Sequence, residues 1–573
     1  MLQPRPLPAR FFLARAVKAV KAQFPLLTPE APMGKLPIVN QEFIPKYILK
    51  LLCFITLLLL APPAVVRAQF TFTTNHDGSL NIYEYTGSGG EVTIPDTTNG
   101  LPITSIGEEA FYQDFTLTNV TIGANVTSIG ENAFFQCSSL SSVTIPGSVT
   151  NIGEGPFWDC QGLTAISLGA SNSYYIITNG VLCNKSQTVL IQYPGGLGGS
   201  YTIPASVTNV GEAFIGNTLT VISASSANLY YSSTNGVLCN KNRAALIEYP
   251  GGLAGSYTIP RTVTTIASAA FEYSASVAGV TIGTNVTSIG EYAFYDCTSL
   301  IGISVDPTNL YYSSTNGVLF NKTQTMLIQY PSGLGGSYTI PGTITNVGNG
   351  AFGDTFGLTG VVIPNSVLSI GEEAFYYCDS LTNLTIGDRV SSIGENAFYY
   401  CASLTGVVIP NSVTNIGEYA FYYCPSLGSA IIGSGVASIA EEAFAGCQSL
   451  TNVCFEGNEP SDGGSIFYYD YSLSAISYVN GTAGWEATYD GVPTAPCAEC
   501  AGGAPQLAII ASGTNVILTW SANFTGFTLQ STTNLVSPTV WTTVSPAPVI
   551  INGNNAVTNS ISSTSTFYRL VSP

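Results

Sequence analysis

The 573-residue sequence predicts a mainly β repeat solenoid of about eleven 23-residue coils, with short helical turns, three β-hairpin insertions and a small β-sandwich at the end. Three observations carry this prediction. The phrase IGExAF recurs along the chain, and its phenylalanine falls at Phe111, Phe134, Phe157, Phe214, Phe271, Phe294, Phe352, Phe375, Phe398, Phe421 and Phe444, at intervals of 23, 57 or 58. A fixed period in this range is the signature of stacked repeats. Glycine is abundant, at 59 residues, while only 9% of the chain is charged, a profile that suits a turn-rich β protein. Finally, one such unit cannot bury both of its faces, so its stability must come from its neighbours.

The first element in order is an export signal over residues 1–68. Lys35, Lys46 and Lys50 precede LLCFITLLLLAPPAVV, an apolar run broken by two prolines and shorter than the roughly 20 residues of a membrane-spanning helix. Val66-Arg67-Ala68 places small residues at the two positions a signal peptidase inspects, so cleavage is expected after Ala68, with translation starting at Met33. The competing reading is an uncleaved anchor; the favoured one leaves no stable transmembrane segment. Cys53 departs with the signal, and twelve of the thirteen cysteines enter a compartment where disulfides form. Beyond Ala68 the only basic residues are Lys185, Lys241, Arg243, Arg261, Lys322, Arg389 and Arg569, against 32 acidic ones. This balance excludes nucleic acid and anionic membrane surfaces as partners.

Residues 69–95 alternate apolar and polar side chains around a His-Asp-Gly turn and read as a capping hairpin. The array follows over 96–456. Its idealised unit is SLTxVxIPxSVTxIGxxAFxxC. Leu404, Val407 and Ile409 form the strand, closed by Pro410, which cannot donate to a ladder. Gly417 permits a tight corner. Ala420, Phe421 and Cys424 fall at i, i+1 and i+4, which suits one face of a short helical turn, with Glu418 at its favourable N-terminal end. Cys137, Cys160, Cys297, Cys378, Cys401, Cys424 and Cys447 occupy one position of the unit, and other coils lack a cysteine there. A ligand set that coils can drop is scaffold, so these are read as buried apolar fillers. The glutamate column Glu131, Glu154, Glu291, Glu395 and Glu418 is read likewise as helix-start chemistry rather than a row of acid catalysts.

The phrases VTIGTNVTSIGEYAFYDCTSL (280–300) and VVIPNSVTNIGEYAFYYCPSL (407–427) resemble the consensus of BspA-like leucine-rich repeat proteins. The resemblance spans about 360 residues. It implies a secreted or surface-displayed bacterial solenoid used in adhesion and binding, without a catalytic centre. A scaffold motif transfers the fold and leaves the ligand open.

Three insertions, 171–204, 227–260 and 308–341, share TNG and a VLCNKSQTVLIQYP-like hairpin that pivots on Asn-Lys. Each brings four tyrosines and one lysine, and Lys185, Lys241 and Lys322 are candidate binding residues. Residues 457–500 lose the repeat and read as a C-terminal cap, in which Cys497 and Cys500 form a candidate local disulfide or pair with other cap cysteines. Residues 501–504 are a linker. Residues 505–573 carry short alternating segments and resemble a small immunoglobulin-like or fibronectin-like β-sandwich module, although no Cys-Trp-Cys pattern marks a true immunoglobulin domain.

An enzyme is not expected. The single histidine, His76, sits in a turn, so Ser-His-Asp and Cys-His chemistry and His-containing zinc sites lack their imidazole. No cofactor motif and no metal set is present in the sequence. The favoured function is adhesion, or binding of a protein or glycan ligand, by a monomeric protein secreted or held at a bacterial surface. The alternatives are a purely structural envelope component and a parallel β-helix polysaccharide-degrading enzyme. Tyr377, Tyr400 and Tyr423 follow one another in successive coils, at a position that elsewhere holds Gln136, Asp159, Asp296 or Gly446. That tolerance suggests exposure, so they are expected to form a binding strip flanked by Tyr376, Tyr399 and Tyr422.

Overall fold

A computed structural model describes residues 70–497 and 500 and, toward the C-terminus, 507–512, 515–521, 528–533, 541–545, 547–551, 554–560 and 566–571. The expected signal segment (1–68) and linker (501–504) lie outside these residues. The chain divides into two compact units, the first running through Gly196 and including 211–213, the second comprising 197–210 and the chain from Phe214 onward.

Each unit is a stack of coils joined by parallel ladders. In the first, Phe70–Thr74 pairs antiparallel with Leu80–Tyr85, which begins a parallel ladder through Leu101–Ile106, Ser128–Ile129 and Asn151–Ile152. A second ladder runs through Gly90–Thr93, Leu117–Thr121, Ser142–Ile145 and Ala165–Leu168. The second unit repeats this plan, and there the register is strict: Ser369, Ser392, Asn415 and Ser438 face one another in turn. In the coil from 404 to 424, the side chains of Leu404, Val407, Ile409, Val413, Ile416, Ala420, Phe421 and Cys424 are all buried. Phe352, Phe375, Phe398, Phe421 and Phe444 form a stack with ring centroids 4.6–5.0 Å apart. In the first unit Tyr85, Phe111, Phe134 and Phe157 stack likewise, with centroids 4.7–5.2 Å apart.

The expected helical turn is absent. Residues 395–400 form consecutive tight turns instead, in which alternate amides bond within the coil and across to the next one. Asn396, Phe398 and Tyr400 donate to the carbonyls of Glu418, Ala420 and Tyr422, while Tyr399 donates back to Asn396. This pattern needs a left-handed residue at two places per coil, and Asn396 and Tyr400 both have φ of 54°. Each such residue costs of order 1 kcal/mol or more when it is not glycine. The inter-coil bonds and ring stacking offset that strain. The corner glycine is required for a different reason: a Cβ on Gly394 would lie 2.6 Å from the carbonyl carbon of Gly371 in the preceding coil.

The seven cysteines of the repeated position are all free and buried. They do more than fill space, because each thiol donates to the carbonyl of a repeat phenylalanine 26 residues earlier. Cys137 reaches Phe111 at 3.0 Å and Cys401 reaches Phe375 at 3.3 Å. Alanine could fill this position but could not make that bond.

The count of eleven coils is also revised, because the insertions are coils in their own right. Each forms three antiparallel strands, as in Tyr312–Thr315, Val318–Asn321 and Met326–Gln329, and in the second and third insertions the last strand enters the parallel ladder of the next coil. Tyr249 and Tyr330 take the place of the repeat phenylalanine and stack on Phe271 and Phe352 at 4.7 and 4.9 Å. At the C-terminal end, two antiparallel sheets hold a small core of Leu518, Trp520, Leu529, Val544 and Val557. Among the described residues no helix is long and apolar enough to cross a membrane.

Removal of one ring from the phenylalanine stack exposes a cavity to both neighbours. Phe398→Ala should lower the free energy of local opening in the coils around 375–421 by about 3–5 kcal/mol, as read by hydrogen exchange, and leave residues 80–166 unchanged. A uniform loss along the chain would contradict this local account. Thiol labelling of the folded protein should leave Cys137, Cys160, Cys297, Cys378, Cys401, Cys424 and Cys447 unmodified until denaturant is added.

Candidate binding surface

The six candidate tyrosines are brought together, but they do not form an exposed strip. Tyr376, Tyr399 and Tyr422 are buried and stack at 5.0 and 5.2 Å. Tyr377, Tyr400 and Tyr423 stack beside them at 4.6 and 5.2 Å, the first two half-buried and Tyr423 only 4% exposed. The tolerance for Gln, Asp and Gly at this position has another cause. Gln136, Asp159, Asp296, Tyr377, Tyr400, Tyr423 and Gly446 all have positive φ, so the position selects residues for left-handed backbone rather than for solvent.

The most exposed leucines lie on the insertions, while Tyr471 of the C-terminal cap is 84% and Ile301 of a plain coil 61% exposed. Leu229 is 76% and Leu310 77% exposed, and Tyr174, Tyr230 and Tyr311 are each about half exposed. Sequence reasoning missed what holds them. Asn228 is fully buried; its amide donates to the carbonyls of Pro204 and Val207, and its oxygen accepts from the amides of Tyr230 and Tyr231 at 2.8 Å. Asn309 and Asn172 make the corresponding bonds in the other two insertions. The second tyrosine of each pair turns inward: the Tyr231 hydroxyl donates to Thr208, and the Tyr312 hydroxyl accepts from Ile289. The first tyrosine is thereby left facing outward on a fixed backbone. The recurring NxYY phrase carries this information, but only once the asparagine is known to be buried.

Lys185, Lys241 and Lys322 are exposed and sit beside these tyrosines. The Lys185 and Lys322 amides donate to the carbonyls of Tyr174 and Tyr311. Their ammonium groups bond backbone carbonyls near the same loop: Lys322 reaches Pro307 at 3.0 Å, Lys185 reaches Asn172 at 3.5 Å, and Lys241 reaches Asn228. Each insertion therefore presents a knuckle of one outward tyrosine and one lysine, with a leucine added in the second and third.

Of the two pairings expected for the cap cysteines, Cys500 takes the second: it pairs with Cys454, across a Cα–Cα distance of 5.5 Å, and Cys497 stays free. Cys497 ends the strand Val492–Cys497, where it lies opposite Val479, and its thiol donates to the Tyr478 carbonyl.

The glutamate column is a ladder of like charges. Glu395 is pushed up to about 7 by burial and then by Glu372 and Glu418, one coil to either side. Beside the column, one residue after Glu441, Glu442 is pushed up to about 7 by burial and then by Glu441 and Glu418, and one of its buried carboxylate oxygens has no hydrogen-bond partner. Glu131, Glu372 and Glu418 are raised for the same reasons, and no cation contributes.

A protein-family model described as the BspA type leucine-rich repeat region matches residues 104–234, 254–335 and 336–480, more than half of the chain. The chain is similar to a leucine-rich cell surface protein of Faecalibacterium prausnitzii, with 27% identity over 70% of this chain and 96% of that one, at a TM-score of 0.36. A leucine-rich repeat protein of Bacteroides ovatus is 23% identical over 76% of this chain and 99% of that one, at a TM-score of 0.29. The pneumococcal vaccine antigen PcpA is 17% identical over 73% and 93%, at 0.34. No curated protein matches the chain.

The carboxylate ladder fixes the sign of the pH dependence. These groups are raised in the folded state, so the fold holds more protons than the unfolded chain between the ordinary glutamate range and about pH 7. Their stabilising contribution is full below about pH 4.5 and is lost as pH rises to about 7. The melting temperature should fall from pH 5 to pH 8, and Glu395→Gln with Glu442→Gln should flatten that fall; a melting temperature that rises over this range would refute the assignment.

Proposed function

Because the chain belongs to the BspA-type leucine-rich repeat family, we propose that it is a non-catalytic bacterial protein, secreted or displayed at the cell surface, that binds a protein or glycan ligand through the knuckles of its insertions. The observation that carries this reading is the repeated display of Leu229–Tyr230 and Leu310–Tyr311 on buried asparagine anchors, each beside one of the few lysines. Folding alone gives no reason to hold large apolar side chains rigidly in solvent three-quarters exposed. Tyrosine and a neighbouring cation are favoured where a contact must join apolar area to polar groups. A protein ligand suits the leucines better than a glycan does. The C-terminal pair of antiparallel sheets is read as an immunoglobulin-like or fibronectin-like module that follows the solenoid.

The test uses residues 69–573 against arrays of immobilised proteins and glycans. Leu310→Asp combined with Tyr311→Ser and Lys322→Glu should weaken binding to the strongest hit at least tenfold and leave the melting temperature within about 2 °C, since exposed side chains add little to stability. Asn309→Ala should lower both binding and local stability, the latter by about 1–3 kcal/mol, because it leaves buried carbonyls and amides unpaired. Unchanged binding in the triple variant would overturn the assignment of the knuckles.

A further inference from the structure

The C-terminal cap gathers three sulfurs from three places in the chain. Cys454 lies buried in the strand Asn452–Phe455, Cys497 closes the strand Val492–Cys497, and Cys500 follows it. Cys454 and Cys500 are joined, the Cys497 sulfur is 3.8 Å from that of Cys454, and all three lie within 4.8 Å of one another. Among the described residues the nine other free cysteines are buried, so Cys497 is the one free thiol outside the cores. A disulfide that only tied the chain to the cap would need two cysteines. The third is held in contact with the bond.

We propose that this cluster is a thiol–disulfide exchange site with two pairings. The Cys497 thiolate attacks the sulfur of Cys454; the Cys454–Cys497 bond forms, the Cys454–Cys500 bond breaks, and Cys500 leaves as a thiolate that takes up the proton Cys497 gave away. One disulfide and one thiol are present before and after, so no oxidant or reductant is consumed. The two pairings offer different thiols to an incoming disulfide. In the first it is Cys497, held against the Tyr478 carbonyl. In the second it is Cys500, beyond the end of the strand. Burial raises the Cys497 thiol, so at neutral pH it is stored mainly in its unreactive protonated form.

The experiment holds residues 69–573, folded and free of added reductant, at pH 8.5, then quenches with acid, blocks thiols with N-ethylmaleimide and maps the disulfides by mass spectrometry. The expected result is two populations, Cys454–Cys500 with maleimide on Cys497 and Cys454–Cys497 with maleimide on Cys500. Cys500→Ser should keep one cap disulfide, Cys454–Cys497, and Cys497→Ser should keep only Cys454–Cys500. A single pairing in the unaltered protein, together with two free cap thiols in Cys500→Ser, would overturn the proposal. So would one equivalent of zinc bound by three unpaired thiols, since three sulfurs at this spacing also suit a thiolate metal site.

Discussion

The structure depends on one geometric constraint: successive coils lie about 4.8 Å apart and in register, so the nearest neighbour of almost every side chain is its own counterpart. Each position of the repeat must therefore be compatible with itself. Phenylalanine satisfies this by stacking, glycine by letting two backbones approach where no Cβ fits, and cysteine by reaching back to the carbonyl of a neighbouring coil. Glutamate does not satisfy it. In its column Glu395 is raised by burial and by Glu372 and Glu418 of the neighbouring coils.

This constraint explains which features were legible in the sequence. A self-compatible column appears as the same letter every 23 residues, which is why the phenylalanines, the cysteines and the strand phrase could be placed. The turn after the corner was misread because Ala-Phe-Cys spacing suits both a helix and a chain of tight turns. The signal that separates the two was present: Asn132, Asn396, Gly155 and Gly350 share one left-handed position, and Gly446 marks another. The insertions hid their coils because Tyr249 and Tyr330 stand 22 residues, not 23, before the next phenylalanine. Residue type was legible where the column repeats, whereas exposure was not, because a position open to Gln, Asp and Gly can be chosen by backbone conformation as easily as by solvent.

The same reasoning separates scaffold from surface. Within the plain coils most large side chains are committed to a neighbour, including the paired tyrosines that at first suggested a ligand, although Phe115, Ile301 and Phe356 are exposed. The most exposed leucines lie where the chain departs from its own copy, on the insertions. There a buried asparagine binds the preceding coil with its amide and the outgoing loop with its oxygen. One residue thus passes the order of the core to an exposed leucine and tyrosine without placing them in the core. The insertions stay coils on their inner side, so they extend the stack while changing its outer face.

The short inter-coil hydrogen bonds have a mechanical consequence. Within a unit they point along the stacking direction, from the amides of one coil to the carbonyls of the next. A pull along that direction loads the coils in series, and each interface holds by its own set of backbone bonds and ring contacts. Failure then proceeds by peeling: one coil detaches and releases roughly 75 Å of chain, while the rest remains folded and can recapture it when the load falls. For a chain tethered between a surface and a ligand, such a stack is a spring of many small, reversible steps rather than a rigid post with a single breaking point.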